Sequence, residues 1–169
     1  MVGSLAGSSQ HISVIGLGSM GFGMAISLRR AGFDVTGCDV APETVARFAK
    51  EGGRGAASPA EAARGADVVV SVVVNATQTE AILFGKDGVA ETLPKGAVFV
   101  SSATMDPDVA RRMAKQLEAT GRLYLDAPIS GGAQRAAQGE LTILASGSIE
   151  AFAKARPALD AMSTAAVPC

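Results

Sequence analysis

The run Gly16-Leu17-Gly18-Ser19-Met20-Gly21 has the residue types and spacing to hold a phosphate. It has the form G-x-G-x-x-G and lies between an apolar stretch, His11–Ile15, and an amphipathic stretch that begins at Met20. In such a turn the first glycine allows the strand to reverse tightly, the second lets the backbone approach a pyrophosphate, and the third lets the helix pack on the sheet. Free N–H groups and the dipole at the helix start favour the negative charge. The turn calls for an acid about 20 residues further on to accept hydrogen bonds from ribose hydroxyls. Asp39 stands 23 residues after Gly16 and 18 after Gly21. An acid there repels a 2′-phosphate, which favours NAD over NADP. The nearest arginine, Arg47, falls on the following helix and makes no clear phosphate clamp. The alternative role for Asp39 is a turn or capping residue ahead of Pro42.

A second cluster is Ser130-Gly131-Gly132, which follows Asp126-Ala127-Pro128-Ile129. A serine hydroxyl with two successive glycine N–H groups can form a nest for an anion such as a carboxylate. The alternative is a glycine-rich turn in which Ser130 bonds its own backbone. His11 is the only histidine and precedes the first strand, where a solvated role is expected. The chain therefore offers no Ser-His-Asp triad, Cys-His pair or metal cluster. Cys38 and Cys169 form no C-x-x-C, and reduced thiols in a cytoplasm are expected. Arg111, Arg112 and Lys115 read as a solvated helix face.

These clusters need strands and helices to position them, and apolar strand-like runs alternate with helical patterns along the chain. That alternation predicts an α/β fold, a Rossmann-type doubly wound, mostly parallel sheet with helices on both faces. Strands are expected at His11–Ile15, Asp34–Cys38, Asp67–Val73, Ala97–Ser101, Leu123–Asp126 and Glu140–Leu144. A helix over about Met20–Ala31 has Met24, Ala25 and Leu28 on one face; the next opens at Pro42-Glu43 and turns Val45, Phe48 and Ala49 inward. Ser58-Pro59-Ala60-Glu61 is a capping box, and Thr77-Gln78-Thr79-Glu80 repeats it for a short helix with Ile82 and Leu83. Asp106-Pro107 opens a helix on which Val109, Met113 and Leu117 recur, and a last helix is expected from about Ser148 to Met162.

With 169 residues, 48% of them apolar, the chain is long enough to bury one substantial core. A net charge of −1 with 4% aromatic residues supplies neither a basic stripe nor a stacking platform, which argues against a nucleic-acid partner. The most continuous apolar run, Ala66 to Val74, is about half the ~20 residues of a spanning helix, so no membrane partner is expected. Residues 1–10 lack the pattern of a secretory signal and read as a flexible tail, leaving residues 11–169 as one nucleotide-binding domain.

Gly16-Leu17-Gly18-Ser19-Met20-Gly21-Phe22-Gly23-Met24-Ala25 through Leu28 resembles the G-L-G-x-M-G-x-x-M-A-x-x-L opening of the β-hydroxyacid dehydrogenases. Asp126 to Gly132 resembles that family's substrate signature D-A-P-V-S-G-G, and Gly139 to Ile143 resembles the G-T-L-T that follows it. The resemblance implies an NAD-dependent oxidoreductase of small hydroxy acids such as L-threonate or 3-hydroxyisobutyrate. It implies that Gly16, Leu17, Gly18, Ser19, Met20 and Gly21 hold the pyrophosphate and Asp39 the ribose, and that Val74 and Asn75 line the cofactor groove. It implies further that Ser130, Gly131 and Gly132 bind the substrate. Ser101 to Pro107 resembles the family's S-T-x-x-P segment near the nicotinamide with one extra residue; aligning on the proline selects Thr104 as the contact, and aligning on the serines selects Ala103.

The resemblance also implies a catalytic lysine in a G-x-x-x-K-x-x-N pattern at the start of a long helix leading to an all-helical second domain. None of Lys50, Lys86, Lys95, Lys115 and Lys154 sits in such a pattern, so that lysine is expected beyond Cys169. The stretch Thr164–Cys169 departs from the family, which continues there through another strand. Expected partners are a hydroxy acid and a second copy of the chain. Two alternatives stand beside the dehydrogenase: an NAD-binding module without turnover, and an S-adenosylmethionine-binding methyltransferase.

Overall fold

The computed structural model describes residues 10–168; the tail expected over residues 1–9 lies outside them. Nine strands and seven α-helices are formed: β1 His11–Ile15, α1 Gly21–Arg30, β2 Asp34–Cys38, α2 Pro42–Lys50, β3 Arg54–Ala56, α3 Pro59–Ala63, β4 Val68–Ser71, α4 Ala76–Phe84, β5 Val98–Ser101, α5 Pro107–Glu118, β6 Leu123–Asp126, β7 Ile129–Ser130, α6 Gly132–Gln138, β8 Leu141–Gly147, α7 Ile149–Met162 and β9 Ser163–Pro168. They make one sheet in the order β3-β2-β1-β4-β5-β6-β8-β7, with β9 paired to β8. Strands β1 to β6 run parallel, and β8 is antiparallel to β6 and β7. The doubly wound architecture is thus the one expected.

Alternation along the strands divides the core in two. Ile12, Val14, Val68, Val70, Val98, Val100 and Leu125 face α1, α6 and α7 on one side. Ile15, Val69, Phe99 and Tyr124 face α3, α4 and α5 on the other, against Leu83, Met113 and Leu117. Met24, Ala25 and Leu28 of α1 are fully buried, as the periodicity requires. On α2 the buried residue is Phe48 with Val45 partly covered, whereas Ala49 is exposed, because one further residue rotates 100° off the stripe.

Three local expectations are corrected. The box over Thr77–Glu80 sits two residues earlier: Asn75 is the N-cap, its side chain accepting from the Gln78 N–H at 2.9 Å, while Gln78 accepts from the Val74 N–H at 2.9 Å. Asparagine is the stronger cap, and Gln78 is then correctly placed to reach back. The last segment does continue as a strand, β9 lying parallel on β8, although Ser163-Thr164-Ala165-Ala166 carries little β-propensity. Short β3, β7 and α6 also form where no element was expected. Within the described residues no helix is long and apolar enough to cross a membrane.

Candidate functional site: the carboxyl edge of the sheet

Strand β1 lies between β2 and β4, so the chain leaves it at the point where the strand order reverses, the place where open α/β sheets bind ligands. The β1–α1 turn is held there by Gly16, whose N–H donates to the Cys38 carbonyl at 2.8 Å, and by Val72, whose N–H donates to the Ile15 carbonyl at 2.8 Å. The three glycines of the turn have different surroundings. A Cβ on Gly16, at φ +97°, would meet the Val72 carbonyl oxygen at 2.2 Å, and one on Gly21 would meet the Gly16 carbonyl oxygen at 1.8 Å. At Gly18 a Cβ would meet nothing within 4 Å, so this glycine leaves open space above the turn. The N–H groups of Gly18, Ser19 and Met20 make no hydrogen bond among the described residues. Helix α1 begins at Gly21 with no side-chain cap and no acid in its first turn. Open space, unengaged N–H groups and an uncapped helix start suit a pyrophosphate.

Asp39 joins the turn to the β2–α2 loop. One of its carboxylate oxygens accepts from the Leu17 N–H at 2.7 Å, the other from the Ala41 N–H at 2.9 Å. The turn role is thus the one observed, and each carboxylate oxygen retains a second acceptor position. The Leu17 N–H is consequently spent on Asp39 rather than left for phosphate. Val40 after β2 and Val74 after β4 are 100% and 80% exposed, two bare apolar side chains flanking the β1 turn. Asn75 follows, its side-chain oxygen occupied in capping α4.

Beyond β5, Thr104 is exposed while Ala103 is 3% exposed, so Thr104 is the solvent-facing one of the two candidate contacts. The Ser130 hydroxyl makes no hydrogen bond within the described residues, and Gly131 and Gly132, at φ +142° and +80°, turn the chain from β7 into α6. That helix packs on α1: a Cβ on Gly23 would lie 2.7 Å from the Ala137 nitrogen, and the Ser27 hydroxyl donates to the Ala136 carbonyl at 2.7 Å. As a result Gly18 and Ser19 of the turn share an open cleft of about 480 Å³ with Ala133 and Ala137 of α6 and with Thr44 and Arg47 of α2. Arg47, its guanidinium 4.2 Å above the Phe22 ring, enters the wall of this cleft from α2. Sequence spacing missed Val40 and placed Arg47 only on the following helix, because the fold alone brings both beside the turn. His11 stays away from this edge, its Nε2 2.8 Å from the Thr36 hydroxyl near the other end of β1 and β2.

Residues 11–169 match the family described as the NAD binding domain of 6-phosphogluconate dehydrogenase. The chain belongs to this family of NAD-binding domains. The match, with the glycine turn and Asp39, sets aside the methyltransferase alternative. The domain is 51% identical over 155 residues to L-threonate dehydrogenase of Cupriavidus necator, an alignment covering 92% of the chain and 52% of that relative. It is 34% identical over 175 residues to mitochondrial 3-hydroxyisobutyrate dehydrogenase of Mus musculus, covering 99% of the chain and 52% of the relative. The crystal structure of 3-hydroxyisobutyrate dehydrogenase from Salmonella typhimurium superposes with a TM-score of 0.91 at 42% identity, covering 95% of this chain and 56% of that one. These relatives bear out the resemblance to hydroxyacid dehydrogenases. The NAD-binding domain spans about half the length of the relatives it matches.

Proposed function

We propose that this NAD-binding domain is the cofactor-holding half of a dehydrogenase of small hydroxy acids, with L-threonate the first candidate substrate and 3-hydroxyisobutyrate the second. The observation that carries the reading is the shared cleft, in which the Gly18–Ser19 turn meets the helix that Gly131 and Gly132 open. On this reading the N–H groups of Gly18, Ser19 and Met20 bind the pyrophosphate, Asp39 accepts from the ribose, and Val74 and Asn75 border the groove. Thr104 stands near the nicotinamide, and Ser130 with the N–H groups of Gly131 and Gly132 grips the substrate carboxylate. NAD, when bound, supplies the hydride acceptor. The 51% identity to an L-threonate dehydrogenase supports the choice of acid.

The lysine positions favour a second reading for the 169-residue chain alone, an NAD-binding module without turnover. Lys50 and Lys115 lie within α2 and α5, Lys154 is 3.8 Å from Asp67 at the opposite edge, and Lys86 and Lys95 follow α4 and precede β5. None stands at the carboxyl end of a strand to take the proton of a substrate hydroxyl. The chain is titrated with NADH, following its fluorescence, and then assayed for NADH production from NAD with L-threonate, 3-hydroxyisobutyrate and related acids. Saturable binding that weakens about tenfold or more in Asp39→Arg, with L-threonate tightening it, is expected, since a lost charge-assisted bond is worth that much. Absence of NADH binding, or indifference of that binding to every acid, overturns the first reading. Turnover by the chain itself overturns the second.

A further inference from the structure

A row of polar side chains crosses the sheet on the α3–α5 face, outside the cofactor cleft. Ser71 of β4, Ser101 of β5, Asp126 of β6 and Ser146 of β8 are register neighbours, and Tyr124 shares their face two residues before Asp126. The Ser71 and Ser101 hydroxyls, the Tyr124 hydroxyl and Asp126 Oδ1 are buried without a hydrogen-bond partner. Ser101 lies beside Tyr124, but the two hydroxyls fall short of a full hydrogen bond. Four orphaned polar atoms in one row are unusual, because each costs roughly 1–3 kcal/mol when left unsatisfied. The row opens at its β6–β8 end into a cleft of about 310 Å³, where Tyr124, Asp126 and Ser146 meet Ala110, Ala114 and Glu118 of α5.

The charges of this cleft are unbalanced. Arg111, its cationic lining residue, is held by Asp108 at 2.7 Å. The Glu118 carboxylate makes no hydrogen bond or ion pair among the described residues, and no cation is paired with Asp126. Burial alone holds the Asp126 carboxyl above its usual range, the behaviour of a carboxylate that lacks a cation. Water satisfies hydroxyls but leaves both carboxylates unneutralised beside two methyl groups. No set of three or more His, Cys, Asp or Glu side chains suited to a metal ion occurs among the described residues.

We propose that this cleft binds a primary alkylammonium group, whose three N–H donors are taken by Asp126, the Tyr124 hydroxyl and Glu118 while its aliphatic stem lies against Ala110 and Ala114. The inference stands on a cleft separate from the one that holds the glycine turn, although Asp126 also opens the segment that resembles the substrate signature.

Tyr124 is the only tyrosine and the chain has no tryptophan, so its intrinsic emission reports on this site directly. The chain is titrated with n-butylammonium chloride at constant ionic strength, with potassium chloride and n-butanol as controls, and calorimetry measures the same binding without the fluorophore. A saturable change is expected with the amine and with neither control. Asp126→Asn should weaken binding about tenfold or more and Glu118→Gln by a few fold, the partners of an ammonium being charge-assisted. Glu118 is exposed on α5, so its variant tests the site even if Asp126→Asn fails to fold. Nα-acetyl-lysine amide distinguishes the sources: binding equal to n-butylammonium points to a lysine side chain, and much weaker binding to a free amine. No saturation by the amine, an equal response to potassium or butanol, or unchanged affinity in both variants overturns the proposal.

Discussion

The three glycines of the β1–α1 turn look alike in sequence, yet the space around them predicts different outcomes for one substitution. Gly18→Ala adds a methyl group to open space at an ordinary φ, so the fold should be unaffected and the cost should fall on the approach of the cofactor. Gly21→Ala drives a Cβ to 1.8 Å from the Gly16 carbonyl oxygen. Overpacking of this kind costs about 1–3 kcal/mol or more. Urea unfolding and NADH titration of the two variants should therefore dissociate: Gly18→Ala loses affinity at constant stability, and Gly21→Ala loses stability. A common fall in stability for both would contradict the division of roles. At this scale the form of the glycine turn was legible because the tight reversal at Gly16 and the close approach at Gly21 are written in local spacing. The Asp39 bond to Leu17 was not, since it joins residues 22 apart through two loops that only the finished sheet brings together. The exposed Val40 and the place of Arg47 in the cleft wall were hidden for the same reason.

At the scale of elements, periodicity located the central strands and long helices well, with β1, β2 and β6 matching their expected bounds. Where it failed, local signals were short or ambiguous. Helix α6 is seven residues between glycines, and β7 is two residues paired to β8, so neither is long enough for its period to recur recognisably. Strand β9 forms on small residues because β8 offers it an edge, a tertiary cause overriding weak propensity. The α4 start was misplaced because two overlapping boxes share Gln78, and the asparagine won. That competition can be measured. Asn75→Ala removes the cap of the Gln78 N–H and should cost about 1 kcal/mol, within the range of roughly 0.5–2 for N-caps. Thr77 is exposed and makes no side-chain hydrogen bond among the described residues, so Thr77→Ala should be nearly neutral. Chemical denaturation of both variants checks the order, and a larger loss at Thr77 would restore the box read from sequence.

Over the whole molecule, the two cores back onto one sheet, and the pH response depends on which titratable groups fold into each. Asp34 is held below its usual carboxylate range chiefly by its hydrogen bond to Arg54, while burial holds Asp126 above it. Their linkages oppose each other: stability from Asp34 is lost as pH falls through its lowered value, and stability from a protonated Asp126 is lost as pH rises through its raised one. The alkaline side has no such cancellation. Burial pushes the Cys38 thiol up to about 11, with Asp39 and Glu61 adding to the effect, and the Tyr124 hydroxyl up to about 12. Both groups bind their protons more tightly in the folded chain, so the stability they carry is complete at neutral pH and declines once the unfolded chain begins to ionise. For Cys38, 4% exposed beside Ile15 and Ala56, that window runs from the ordinary value of 9.0 to about 11. A shift of this size corresponds to at most roughly 2–3 kcal/mol at about 1.36 kcal/mol per pH unit. Unfolding free energy should thus fall across this window. In Cys38→Ala the fall should be shallower there and persist at higher pH, where Tyr124 ionises, even though the variant starts less stable from its lost sulfur packing. Identical alkaline slopes in the two proteins would show that Cys38 keeps its proton no more tightly in the folded state than in the unfolded one.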